Sequence, residues 1–91
     1  MLDVLERAEA AIYSDPAESL RLARRASADP TLRVRAGTLE AVALAQLGEL
    51  VQGVGLCMRL LREPMERAER ARLLNVSAAA RDLLGQTPEA V

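Results

Sequence analysis

The chain has 91 residues, 51% of them hydrophobic but only one aromatic, Tyr13, so a single small domain must build its core from Leu, Val and Ala. Twelve basic and 13 acidic residues leave a net charge of −1, which supplies no overall field for nucleic acid or an anionic membrane. The lone cysteine, Cys57, excludes an intrachain disulfide and a cysteine-based zinc site, and the absence of histidine removes the commonest alternative metal ligand.

All basic residues are Arg, and Leu and Ala far outnumber β-branched residues, a composition that favours helix throughout. The amino end, MLDVLERAEAAIYSD, has no basic region leading into an apolar one, so it does not read as a signal peptide. No apolar run approaches the roughly 20 residues needed to span a bilayer. A reducing cytoplasm is the expected setting, with no cofactor or metal.

The first helix is expected over 2–13, with Leu2, Leu5, Ala8 and Ile12 at three- and four-residue steps. Ser14-Asp15-Pro16 then supplies a cap and a proline for the first helical position, and Glu18 suits the positive end of the next helix. That second helix is expected over 16–28, burying Leu20, Ala23 and Ser27. Asp29-Pro30 repeats the device before a third helix over 30–47, whose stripe Leu32, Ala36, Leu39, Ala43 and Leu47 is flanked by Val34, Ala41, Leu44 and Ala45. So broad an apolar surface predicts contacts on more than one side.

Gly48 fits a left-handed C-cap. A fourth helix follows over 49–63, with Leu50, Val54, Cys57 and Leu61 in a stripe. Gly53 and Gly55 each weaken it by roughly 1 kcal/mol relative to Ala, which close helix approach would explain. After Pro64 a fifth helix runs over 65–84, with Leu73, Val76, Ala80 and Leu83 inward and its charged first turns expected to stand clear of the core. Gly85 reads as its C-cap, and Thr87-Pro88-Glu89 as the start of a sixth helix, as if the chain were the amino-terminal part of something longer.

Displacing the sequence by 34 residues aligns Leu5 with Leu39, Leu20 with Val54, Leu22 with Leu56, Ala23 with Cys57 and Pro30 with Pro64, and sets Ser14 on the Gly48 turn. A displacement of 37 takes Ala41 to Ala78, Ala43 to Ala80, Leu47 to Leu84 and Gly48 to Gly85. The units fall at about 1–30, 31–64 and 65–91, the last incomplete.

A period of 34 with a helix-turn-helix unit, the Gly48-Glu49 turn, small residues at Ala41 and Gly53, and Pro30 and Pro64 after the second helices together resemble the tetratricopeptide repeat. Gly37 stands in place of the family's bulky aromatic, Glu40-Ala41 in place of its Leu-Gly pair, and Cys57 in place of the aromatic of its second helix. The resemblance implies an all-α, short array of antiparallel helical hairpins, about five helices in all. It further implies a non-catalytic protein interaction module, of the kind that forms the amino-terminal sensory or docking part of bacterial cytoplasmic regulators.

By register with the family's concave groove, the partner-binding positions are Arg35, Thr38, Leu39 and Val42, with Gln46, in the second unit and Arg72, Asn75, Val76 and Ala79 in the third. Val4, Leu5 and Ala8 are the corresponding positions of the first unit. Arg35, Arg72 and Asn75 could jointly hold a carboxylate or peptide backbone, or simply be solvated. Because an array needs a cap, Leu73, Val76, Ala80 and Leu83 are expected to lack cover and to drive homodimerisation.

Two other readings stand beside this one. Arg21, Arg24, Arg25, Arg33 and Arg35 bracket a possible DNA-binding helix-turn-helix, although its turn, SADP, lacks the usual glycine. Alternatively the domain is a purely structural dimeriser. Cys57 reads as packed in an apolar stripe without a nearby cation, and the chain offers no constellation for acid-base or nucleophilic catalysis.

Overall fold

A computed structural model of the chain describes residues 1–85. It contains α1 (Leu2–Ala11), α2 (Pro16–Ala26), a 3-10 turn (Pro30–Leu32), α3 (Arg33–Gln46), α4 (Leu50–Leu60) and α5 (Arg67–Gly85), and no strand among the described residues. The expected sixth helix lies outside the described residues. No helix among those described is long and apolar enough to cross a membrane.

Each boundary has a local cause. Asp15 accepts a hydrogen bond from the Glu18 amide at 3.2 Å with Pro16 in the first turn, so Asp15 rather than Ser14 caps α2. Asp29 does the same for the 3-10 turn, accepting from the Thr31 amide at 3.0 Å and its hydroxyl at 2.7 Å. Gly48 takes a φ of 81°, which lets the Glu49 amide reach the Leu44 carbonyl at 2.8 Å and the Gly48 amide reach Ala45 at 3.1 Å. These are the two bonds of a Schellman C-cap. Gly85 differs from this expectation, because it remains helical and not left-handed.

Consecutive helices pack on one another, and α3 also touches α1 and α5. Two apolar clusters result. Val4, Leu5, Ala8, Leu22, Ala23, Ala26 and Ala36 form one, and Ala41, Cys57, Leu60 and Leu73 form the other. The third helix supplies Ala36 to the first and Ala41 to the second, which is why its apolar surface is so broad.

Several expected faces are turned. In α2 the buried set is Ser19, Leu22, Ala23 and Ala26, with Leu20 and Ser27 only half-buried. In α1, Leu2 is exposed and Val4 is buried in its place. Leu47 also emerges, because α3 has ended before it. The start of α5 does not stand clear of the molecule. Its Arg70 guanidinium donates to the carbonyls of Leu61 and Glu63 at 3.2 and 3.4 Å, satisfying the carboxyl end of α4.

The crossings of α1 with α2 and of α3 with α4 use the same device. Ser19 of α2 donates its hydroxyl to the Ala8 carbonyl at 2.7 Å, and a Cβ added to Gly53 of α4 would lie 3.3 Å from the Ala41 carbonyl oxygen. Ser19 precedes Gly53 by 34 residues, whereas Ala8 precedes Ala41 by only 33. The first helices of the two units are therefore one residue out of the sequence alignment. Gly55 faces open space, so of the two glycines of α4 only Gly53 is explained by close approach.

Candidate functional site

The first, third and fifth helices share one side of the molecule, and a groove runs between them. Val42 of α3 and Val76 of α5 line it along both halves. One half holds Glu9, Arg35, Thr38, Leu39, Glu69 and Arg72; the other is an apolar trough of about 370 Å³ walled by Tyr13, Ala45, Ala79, Ala80 and Leu83 with the amides of Gln46 and Asn75. All eight residues expected at a partner-binding surface, from Arg35 to Ala79, therefore line one groove.

Their chemistry is not uniform. Thr38 is buried and donates its hydroxyl to the Val34 carbonyl at 2.9 Å, so it shapes the floor and offers no free donor. Leu39 is half-buried against the first core cluster. Arg35 donates to Glu9 at 2.8 Å, tying α3 to α1 across the groove mouth. Of the expected trio of Arg35, Arg72 and Asn75, Arg35 is thus paired within the chain. Arg72, Asn75 and Gln46 are exposed and are uncommitted donors of the groove among the described residues.

The positions expected from the first unit are wrong. Val4, Leu5 and Ala8 are core, at most 6% exposed, and the residues of α1 and its end that face the groove are Glu9 and Tyr13. The 33-residue offset accounts for this: Glu9 and Tyr13 match Val42 and Gln46 on α3. Tyr13, 79% exposed, is the chain's only aromatic ring and stands at the trough. Glu69, in the charged first turn of α5, is also part of the site.

The expected self-association face needs the same revision. Leu73 and Ala80 are 0% and 2% exposed, because α3 and α4 already cover them. Val76 is half-buried at the groove and Leu83, 46% exposed, is a wall of the trough.

Four of the five arginines of the possible DNA-binding segment are committed to carboxylates. Arg21 pairs with Glu18, Arg24 with Glu40 at 3.3 Å, Arg33 with Glu63 at 2.5 Å and Arg35 with Glu9. The helix that would enter a major groove is α3, which is packed against all four other helices.

Cys57 is fully buried, and desolvation raises its thiol pKa, with Arg81 opposing that shift. A cation does therefore act on Cys57, but burial dominates. No protein-family model matches the chain, and no match is found among curated proteins or solved structures.

Proposed function

We propose that the domain is a short tetratricopeptide-like array of antiparallel helical hairpins, acting as a non-catalytic docking module that takes a peptide segment of a protein partner in the groove between α1, α3 and α5. The observation that carries this reading is the convergence of all eight expected partner-facing residues on one groove. Its apolar trough suits one or two aliphatic side chains, while Arg72, Asn75 and Gln46 offer directed hydrogen bonds to a peptide backbone or carboxylate.

A DNA-reading role is the weaker alternative, since the candidate reading helix is interior and its arginines are neutralised. The bacterial regulator setting and a cytoplasmic location are proposals that rest on the family resemblance alone.

Selection of a random peptide library against the intact domain tests the groove. Peptides enriched on the wild-type chain should lose binding to Val42→Glu and Ala79→Glu yet keep it for Val51→Glu, an exposed site outside the groove. Failure of any peptide to enrich, or equal binding to all variants, would overturn the proposal.

A further inference from the structure

Among the described residues, the outward face of α5 is uncovered where the same face of α3 is covered. On α3, Gly37, Ala41 and Leu44 are buried. Thirty-seven residues further on, Leu74, Ala78 and Arg81 of α5 are all exposed, Leu74 by 50%. The Arg24 to Glu40 bridge fixes how a second helix of one unit lies against the first helix of the next. The matching positions are the 48% exposed Met58 of α4 and the buried Ser77 of α5.

Two charges of α5 lie at the unfavourable ends of its dipole, although Glu69 in the first turn suits it. Arg67 opens the helix at its positive end, and Asp82 sits in the last turn at its negative end. Neither makes an ion pair among the described residues, and both are exposed.

We infer that a second copy of this chain docks on this face, with the two α5 helices antiparallel about a two-fold axis passing between Leu74 and Asn75. That axis sets Arg67 against the partner's Asp82, and Ala71 against the partner's Ala78. Each charge that is misplaced on its own helix then meets an opposite charge and the favourable end of the neighbouring dipole. The small side chains of Ala71 and Ala78 allow the close axial separation, about 8 Å, at which Leu74 packs across the axis. Because the pairing is isologous, every contact occurs twice. The face is small, so the dimer is weak and concentration-dependent. It borders the groove at Asn75, and the two claims are tested by different variants.

Sedimentation equilibrium of the whole chain, from micromolar to high micromolar concentration, tests this with a charge exchange. Arg67→Asp and Asp82→Arg should each raise the dimer dissociation constant about tenfold, and the double variant should return it to within about threefold of wild type. Both changes improve the fit of charge to helix dipole, so the variants should fold, as circular dichroism will verify. Leu74→Glu should abolish the dimer. A wild-type chain that stays monomeric throughout would overturn the inference, as would a double variant no better than the singles or an undiminished Leu74→Glu dimer.

Discussion

The Ser19 hydroxyl donates to the Ala8 carbonyl at 2.7 Å within the buried crossing of α1 and α2. The bond closes a gap in the helix ladder, because the Ile12 amide turns to the Glu9 carbonyl instead, at 3.5 Å. Ser19→Ala leaves the Ala8 carbonyl buried without that donor and should cost about 1–2 kcal/mol. Urea denaturation should show the midpoint falling with an unchanged slope.

Gly48, Gly53 and Gly55 should respond differently to alanine. Gly55 faces open space within α4, so Gly55→Ala should stabilise by about 0.5–1 kcal/mol through helix propensity. At Gly53 the added Cβ meets the Ala41 carbonyl oxygen at 3.3 Å, backbone that yields little, and the substitution should fail to gain that increment or should destabilise. Gly48→Ala forces a side chain into a φ of 81° and should cost about 1–2 kcal/mol. Thermal unfolding of the three variants ranks them.

What was legible in the sequence follows from how strong each local signal is. Asp15-Pro16, Asp29-Pro30, Gly48 and Pro64 mark helix ends by chemistry that acts within one turn, so five helices could be read in order. Which face of a helix is buried was harder to see. An Ala- and Leu-rich helix such as α2 offers little contrast around its circumference, and Ser19 rather than Leu20 faces inward because a small hydroxyl fits the close crossing. The groove positions of α3 and α5 were legible because a displacement of 37 residues maps one onto the other. Those of α1 were not, since the connections differ by one residue, which shifts Glu9 into the place assigned to Ala8 and Tyr13 into the place opposite Gln46.

Burial raises the Cys57 thiol pKa, so the native protein holds the proton longer than the unfolded chain does. Stability from this group is complete below the ordinary thiol range and is lost as the pH rises from there through the raised value of the folded state. Denaturation midpoints should therefore fall on the alkaline side, and the fall should vanish in Cys57→Ala. A thiol reagent should label the native chain only at the rate of unfolding.

Glu9 holds Arg35 at 2.8 Å across the groove mouth, with both side chains 42% exposed. An ion pair so exposed contributes about 0.2–1 kcal/mol, so Glu9→Gln should barely alter stability. It should free a guanidinium beside Arg72 and tighten binding of groove peptides that carry a carboxylate, leaving neutral peptides unaffected. Titration calorimetry with matched acidic and amidated peptides distinguishes the two.

The central claim is that the partner lies between α1, α3 and α5, and amide chemical-shift mapping with a library-selected peptide tests it most directly. The largest perturbations should fall on Tyr13, Val42, Ala45, Asn75 and Ala79, and should disappear in Val42→Glu. Perturbations concentrated instead on the exposed surfaces of α2 and α4, around Arg25 and Val51, would contradict it.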